Sequence, residues 1–202
     1  MKNVKGSTGY RSVLSGFVAA TEAVAFEELH KPYLELIPRE PSRILDVGAG
    51  VGRDASVLAS MGHDVVAIEP TPEFLATAKR LHSATRVEWI DDSLPELSSL
   101  GSEAKPFDFV LASAVWHHLD QSERAIAMSR VAELVAAGGV FALSLRHGPP
   151  GAGTHTFPTD HQQTITSAIG SGFETLVSLT DLPSLIAGKS NVKWSKLAFR
   201  RV

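Results

Sequence analysis

The fold is decided by the stretch Arg43-Ile44-Leu45-Asp46-Val47-Gly48-Ala49-Gly50-Val51-Gly52. Its first half is a short apolar run, which predicts a buried β-strand over residues 43–47. Its second half has glycine at every second position, which predicts a tight turn whose backbone a ligand can approach closely. A helical pattern follows over residues 54–61. Strand, glycine turn and helix in this order are typical of ligand-binding turns in parallel α/β sheets.

Outward from this stretch, short apolar runs alternate with helical patterns. They predict further strands over residues 64–68, 86–90, 107–113, 140–145, 173–179 and 193–201, and helices over residues 11–30, 72–82, 121–137 and 160–171. Such alternation favours a doubly wound parallel sheet with helices on both faces, because the crossovers between parallel strands are right-handed. No helix is predicted between the last two strands. The expected fold is therefore an α/β sheet of seven strands, mostly parallel, with an antiparallel last strand.

The chain has 202 residues, of which 44% are hydrophobic and 20% are charged. This size predicts one domain over residues 1–202, with a helical N-terminal cover over 1–42 and a ligand-binding core over 43–202. The formal net charge of −3 argues against a globally basic nucleic-acid binder, so no nucleic-acid partner is expected. No apolar run approaches the about 20 residues of a membrane span, and we expect no membrane insertion.

The sequence contains no cysteine. Disulfides, thiolate metal sites and cysteine nucleophiles are therefore excluded, and no metal site is predicted. The lack of disulfides fits a reducing compartment, so the expected location is the cytoplasm. The weakly apolar stretch over residues 13–26 is interrupted by polar residues, and we interpret it as an amphipathic helix and not as a signal peptide.

Two acidic residues indicate the kind of ligand. Glu69 follows the second predicted strand, where a carboxylate can accept hydrogen bonds from a ribose diol. Asp46, directly before the glycine turn, would repel a pyrophosphate and suits a cationic ligand that carries an ammonium and a sulfonium. A dinucleotide pattern G-x-G-x-x-A also exists in a shifted register at Gly50, Gly52 and Ala55. A nicotinamide-dependent enzyme therefore stays open at this point.

The acidic residue followed by x-G-x-G-x-G resembles motif I of the class I S-adenosylmethionine-dependent methyltransferases, and the resemblance covers about residues 43–145. It implies a Rossmann-like fold, S-adenosyl-L-methionine as cofactor and S-adenosyl-L-homocysteine as product. The residues that the resemblance assigns to the methionine part of the cofactor are Asp46, Gly48, Ala49, Gly50, Gly52, Ser113 and Ala114. Those that it assigns to the adenosine part are Glu69 on the ribose, Pro70 and Thr71 beside it, Asp91 on the adenine amino group, and Asp92 and Ser93 beside the ring.

The acceptor side is expected after the fourth and fifth strands. Trp116, His117 and His118 follow the fourth strand, at a position that faces the methyl group in the resembling family. Either histidine is a candidate general base near neutral pH, or alternatively a loop cap or a solvated side chain. Neighbours on a strand point to opposite faces, so we expect at most one of them to act. Arg146 and His147 are candidate substrate-binding residues, with Arg146 suited to an anionic acceptor or to a surface salt bridge.

Two further groups of residues have a structural and a functional interpretation: the basic residues near the C-terminus could contact phosphate, although we favour a solvated strand, and Phe17 could either pack in the core or cover the ligands. The basic residues near the C-terminus predict a solvated edge strand protected by its charges; they are Lys189, Lys193, Lys196, Arg200 and Arg201. Tyr10, Phe17 and Tyr33 belong to the N-terminal cover, which in the resembling enzymes closes over cofactor and acceptor.

The sequence thus predicts a methyltransferase that transfers a methyl group from S-adenosylmethionine to a small-molecule acceptor, acting as a monomer or a homodimer. The alternatives are an NAD(P)-dependent Rossmann oxidoreductase and a non-catalytic S-adenosylmethionine-binding protein. The acceptor atom stays open among oxygen, nitrogen, sulfur, carbon and a metalloid.

Overall fold

A computed structural model describes residues 14–101, 104–150 and 155–202. The strands are β1 (Arg43–Val47), β2 (Asp64–Ile68), β3 (Val87–Ile90), β4 (Phe107–Ala112), β5 (Val135–His147), β6 (Phe173–Pro183) and β7 (Lys193–Arg201). The helices are α1 (Leu14–Glu22), α2 (Phe26–Leu29), α3 (Arg53–Ser60), α4 (Pro72–Leu81), α5 (Gln121–Leu134) and α6 (His161–Gly170), with 3-10 turns at Lys31–Leu36 and Trp116–His118. The expectation for Tyr10 lies outside the described residues.

The seven strands form one sheet in the order β3-β2-β1-β4-β5-β7-β6. Strands β1 to β5 run parallel to one another, and β7 lies antiparallel between β5 and β6. The predicted α/β fold, Rossmann-like and mostly parallel with an antiparallel last strand, is confirmed. Within the described part of the chain, none of the helices has the length and apolar character needed to cross a bilayer.

Side chains on the two faces of the sheet enter two separate cores. Leu45 and Val66 face the core that α5 and α6 cover, whereas Ile44 and Val65 face the core that α3 covers. The N-terminal segment covers this second face as well, through Tyr33 and Ile37. Because side chains alternate along a strand, Asp46 points to the same face as Ile44 and lies under the N-terminal segment.

Two predicted element boundaries are wrong. The helix predicted over 11–30 is divided into α1 and α2, with extended backbone at Ala25. Helix α5 ends at Leu134 and not at Ala137, because Val135 already pairs with Phe107. Pairing then shifts to Val140 opposite Phe109, so the glycines at 138 and 139 form an irregularity inside β5 and do not end a helix.

The basic C-terminal strand is not an edge strand. Strand β7 is paired on both sides, and the outer strands of the sheet are β3 and β6. Lys193 and Arg200 are exposed, as predicted, but Lys196 is only 6% exposed and lies on the second face of the sheet. The alternation of β7 thus places one lysine inside the molecule, where we expected a solvated side chain.

Gly52 is required by packing. Its φ is +90°, and a Cβ atom built there would lie 2.6 Å from the Trp89 ring and 3.1 Å from the Ala78 Cβ. The residue therefore lets the start of α3 approach α4 and β3 closely. It does not line the cavity described below, and its contact with the cofactor stays a prediction.

We expect Gly52→Ala to lower the free energy of unfolding by about 2–4 kcal/mol, because backbone strain and overlap with Trp89 add. The matched control is Gly62→Ala, which has a similar φ of +97° but nothing within 4 Å of the new Cβ. The control should cost only about 1 kcal/mol. Urea denaturation of both variants measures the difference, and equal losses would contradict the packing role.

Candidate active site

A cavity of about 790 Å³ opens at the carboxyl ends of the parallel strands. Its wall is formed by the glycine turn, the ends of β2, β4 and β5, helix α1, residues of β7 and the segment over 182–189. This volume lies within the range of about 300–1,000 Å³ that small-molecule sites occupy. The edge is also where ligands bind in open α/β sheets.

Asp46 is buried at this edge without a complete set of partners. The residue is 2% exposed and lines the cavity, and its Oδ2 atom accepts no hydrogen bond from the described residues. Burial raises its pKa well above the ordinary value, and the neighbouring Asp54 carboxylate raises it further. A cation placed beside Oδ2 would offset both costs, so this carboxyl group fits a cationic ligand.

Glu69 connects the glycine turn to the start of α4. Its two carboxylate oxygens accept hydrogen bonds from the backbone N–H of Gly50 (2.9 Å) and of Thr71 (2.7 Å). Thr71 is the N-cap residue of α4, and its side chain makes no capping hydrogen bond. Since a carboxylate has about four acceptor positions, Glu69 retains acceptor capacity toward the cavity it lines.

Of the predicted adenosine-side residues, all but one line the cavity. Pro70, Thr71, Asp92 and Ser93 lie on its wall, whereas Asp91 is exposed and lies outside it. The predicted hydrogen bond from the adenine amino group to Asp91 therefore stays a prediction, and Asp92 is the acid of this loop that lines the cavity. The Asp92 carboxylate accepts from the backbone N–H of Ser93 (2.8 Å) and of Ser99 (2.7 Å), which fixes the loop after β3.

The loop after β4 carries the predicted residues Ser113 and Ala114 on the cavity wall. Ala114 has a φ of +59°, and its N–H donates to the Ser144 hydroxyl at 2.8 Å. The loop packs tightly on the glycine turn, because a Cβ atom on Gly48 would lie 2.3 Å from Val115. Gly48, Ala49 and Gly50 line the cavity, as the resemblance implies.

The two histidines lie on a 3-10 turn and not on a strand. Both His117 and His118 therefore line the cavity, with ring centroids 4.2 Å apart, and the expectation that adjacent histidines diverge is wrong. His118 Nδ1 lies 2.8 Å from the carbonyl of His155. Burial lowers the pKa of both histidines, and nearby cations lower it further. The lowered pKa favours the neutral form of both rings, which leaves a ring nitrogen able to accept a hydrogen bond but makes each ring a weaker base than a free imidazole.

Trp116 is a core residue. It is 1% exposed, packs against Phe141 and is not part of the cavity wall. The prediction that it binds substrate is corrected. The same 3-10 turn that brings both histidines to the cavity rotates Trp116 into the core on the other face of the sheet.

Arg146 and His147 point to opposite faces of β5. Arg146 lines the cavity and donates to the carbonyl of Gly148 at 3.2 Å. His147 Nε2 lies 2.8 Å from the Ser195 hydroxyl, and His147 does not line the cavity. The alternation of the strand therefore confirms only Arg146 as a cavity residue, and the substrate-binding role predicted for His147 is corrected.

The sequence analysis missed a network that holds the N-terminal segment on the glycine turn. His30 Nε2 lies 2.8 Å from Asp54 Oδ2, and Arg53 donates to Asp54 at 2.7 Å and to the carbonyl of Thr21 at 3.0 Å. Burial alone would raise the pKa of Asp54, but His30 and Arg53 outweigh burial and lower it. The only sequence signal was the pair Arg53-Asp54 directly after the turn.

Three further cavity residues were also missed as site residues: Ser144, Trp194 and Lys196. In the sheet register Ser144 lies opposite Lys196, and Arg146 lies opposite Trp194. All four side chains share the face of Asp46, which is the face that the N-terminal segment covers. Alternation within β7 was readable in the sequence, but its position between two strands was not.

The fold and the cavity define the class of protein. A buried acid before a glycine turn, a second acid at the end of β2 and an antiparallel β7 inserted beside β5 are together the arrangement of class I S-adenosylmethionine-dependent methyltransferases. A family model described as methyltransferase domain matches residues 44–139. This part of the chain is similar to that family.

Comparisons with known proteins agree with this assignment. The chain is 40% identical to a ubiquinone biosynthesis O-methyltransferase of Methylocella silvestris over 82 residues, which are 41% of this chain and 32% of the relative. A TehB-like SAM-dependent methyltransferase from Corynebacterium glutamicum has a similar structure, with a TM-score of 0.69, 18% identity, and coverage of 95% of this chain and 97% of that chain.

A second similar structure is that of a 1,6-didemethyltoxoflavin-N1-methyltransferase from Burkholderia thailandensis, solved with bound 1,6-didemethyltoxoflavin and S-adenosylhomocysteine. The TM-score is 0.64 and the sequence identity is 21%, and the match covers 96% of this chain and 89% of that chain. At such identities the likeness shows the fold. The chain spans less than half the length of the first curated relatives, at 32% and 40% of their lengths.

Lys196 gives a test of the cavity wall. Burial lowers its pKa to about 8. Below that pH the folded protein holds a buried charge, and between about pH 8 and 10.5 it binds fewer protons than the unfolded chain, so stability rises with pH across this window. We expect Lys196→Met to be more stable than the wild type by about 1–3 kcal/mol near pH 7, and by less near pH 10.

Denaturant unfolding at both pH values measures this difference. Lys193→Met, at an exposed position of the same strand, is the control and should show no pH-dependent gain. A constant difference between Lys196→Met and the wild type at both pH values would show that the ammonium is solvated.

Proposed function

We propose that the protein transfers a methyl group from S-adenosylmethionine to a small-molecule acceptor. The observation that carries this proposal is the buried Asp46 carboxyl group at the cavity wall, whose Oδ2 atom has no hydrogen-bond partner among the residues that the structure describes. The methyltransferase relatives and the fold support the same activity. A cavity of about 790 Å³ holds a nucleoside cofactor together with a small acceptor.

The residues of the cavity fit this cofactor. Asp46 would face its ammonium group, Glu69 would accept from the ribose hydroxyls, and Asp92 with Ser93 would flank the adenine. When bound, the cofactor supplies a methyl group on a positively charged sulfur. The glycine turn permits close approach of the ligand, because Gly48 and Gly50 present no side chain there.

The protein's own contribution to the reaction is alignment and exclusion of water. Burial of the cavity between the sheet and the N-terminal segment would hold acceptor and methyl group in line, away from solvent. The neutral imidazoles of His117 and His118 would take the proton of a hydroxyl or amine acceptor. We propose them as candidate bases, with either ring within reach of the cavity.

The oxidoreductase alternative is disfavoured by two features. The shifted dinucleotide register needs Gly52 beside the ligand, but Gly52 packs against Trp89 and lies outside the cavity wall. A diphosphate on the glycine turn would also lie beside the acidic side chains Asp46 and Asp54. The non-catalytic alternative binds the same cofactor and is tested by turnover.

A small acceptor is supported by the mildly acidic chain and by the cavity volume of about 790 Å³. The relative from Methylocella silvestris is named as an O-methyltransferase, which makes oxygen the first acceptor atom to test. We retain the cytoplasm as the proposed location, compatible with a sequence free of cysteine, and a monomer or homodimer as the proposed assembly.

Asp46→Asn should weaken binding of S-adenosylhomocysteine by about tenfold or more, because the charge partner of its ammonium group is lost. Isothermal titration calorimetry gives the dissociation constants. Asp64→Asn is the matched control: it makes the same chemical change on an exposed side chain at the opposite end of the neighbouring strand, and should leave affinity unchanged.

The same calorimetry decides between the cofactors. Binding of NAD by the wild type with no response to S-adenosylhomocysteine would reject the methyltransferase proposal. Binding of S-adenosylhomocysteine by the wild type and by Asp46→Asn with equal affinity would reject the role of Asp46.

The double variant His117→Ala, His118→Ala should bind S-adenosylhomocysteine within about twofold of the wild type, if the histidines serve the acceptor. Its turnover with any hydroxyl acceptor of the wild type should fall by about 100-fold or more, as expected for loss of a general base. The readout is the formation of S-adenosylhomocysteine. A large loss of cofactor affinity in this variant would place the histidines in the cofactor half of the cavity.

A further inference from the structure

The acidic residues of the cavity wall are concentrated away from one of its ends, although a basic residue, Arg53, also lies at the glycine turn. The end formed by the glycine turn and the loops after β2 and β3 carries acidic side chains, among them Asp46, Glu69 and Asp92. The other end is formed by the 3-10 turn after β4, the end of β5, the segment over 182–189 and the start of β7. None of the acidic residues on the wall comes from these segments, whereas Arg146 and Lys189 do.

Arg146 lies at the centre of this second end. It projects from β5 opposite Trp194, on the face of the sheet that forms the cavity wall. Its positive charge contributes to the lowered pKa of His117 and of Lys189, after burial as the main cause, so both side chains lie within electrostatic reach. Its guanidinium donates a hydrogen bond to the carbonyl of Gly148 at 3.2 Å.

Placing the positive charges of Arg146 and Lys189 near each other at partly buried positions costs free energy, because like charges repel more strongly where water is excluded. A negatively charged ligand would offset this cost and would accept charge-assisted hydrogen bonds from both side chains. Lys189 lies on a connecting segment and makes no ion pair among the described residues.

Apolar side chains surround the two cations. Leu182 and Ile186 line the cavity from the same segment as Lys189, and the Trp194 ring meets the His117 ring edge-on at 6.0 Å between centroids. These groups suit a flat or aliphatic ligand body. The second end thus combines a cationic pair with an apolar wall.

We propose that this end of the cavity binds acceptors that carry an anionic group, such as a carboxylate, on an apolar ring or chain, with Arg146 and Lys189 as the residues that select them. The proposal rests on the proposed function in treating the ligand as a methyl acceptor. The preference for an anion is a property of the wall and is measurable without turnover.

The test compares benzoate with benzamide, which has nearly the same shape but no charge. Each is titrated into nitrogen-15-labelled full-length protein, with and without S-adenosylhomocysteine, and the indole N–H signals are followed by NMR. The chain has three tryptophans. Trp194 lines the cavity, whereas Trp89 and Trp116 do not and serve as internal references. The Trp194→Phe variant assigns its signal.

We expect benzoate to shift the Trp194 signal with a dissociation constant at least about tenfold lower than that of benzamide. Arg146→Gln and Lys189→Gln should each reduce this ratio several-fold, and the double variant should abolish it. Arg200→Gln is the control, because Arg200 is exposed and paired with Glu174 on the opposite side of β7 from β5. Thermal unfolding of each variant confirms that it is folded.

Equal affinities of the wild type for benzoate and benzamide would overturn the proposal, and so would a preference that survives in the folded double variant. Failure of the proposed function is recognised separately. If S-adenosylhomocysteine does not bind but benzoate is preferred through Arg146 and Lys189, the anion site stands and the methyltransferase proposal falls. If S-adenosylhomocysteine binds and benzoate is not preferred, the reverse holds.

Discussion

The site depends on the burial of a carboxyl group at the point where β1 ends and the chain turns. Asp46 is excluded from water by the N-terminal segment on one side and the glycine turn on the other, and its Oδ2 atom has no partner among the described residues. Such a group costs free energy in the folded state. Protonation reduces this cost, as its raised pKa indicates, and so does a ligand that brings positive charge, so stability and cofactor choice are linked at this residue.

The two acids near Asp46, Glu69 and Asp54, make hydrogen bonds that fix the segments around it. Glu69 fixes the turn through the N–H groups of Gly50 and Thr71, and Asp54 fixes the N-terminal segment through His30. Three acids lie close together, and each has a different balance of partners. Burial raises the pKa of Asp46 and Glu69, whereas His30 and Arg53 lower that of Asp54. Of these three acids, Asp46 alone has a buried carboxyl oxygen without a hydrogen-bond partner among the described residues.

The charged residues of the cavity wall are unevenly distributed. Its acidic end follows from loops after β1, β2 and β3, and its cationic end from β5 and the segment before β7. Such a division would orient a positively charged cofactor and a negatively charged acceptor toward each other. The two neutral histidines lie on the 3-10 turn after β4, the strand between those that supply the two ends.

Several strands and two of the site's acids could be predicted from the sequence, because they depend on residues that are neighbours in the chain. The bounds of β1, β2 and β7, the glycine turn and the acids Asp46 and Glu69 follow from hydrophobic runs, turn residues and strand ends, which need no knowledge of distant contacts. Tertiary structure decided the rest. Strand β7 inserts between β5 and β6 and buries Lys196, and Gly52 packs against Trp89. Asp92 and not Asp91 lines the cavity, and a 3-10 turn brings both histidines to the cavity while burying Trp116. Each of these depends on strand order or on the rotation of a short turn, and both are fixed by contacts between residues far apart in the chain.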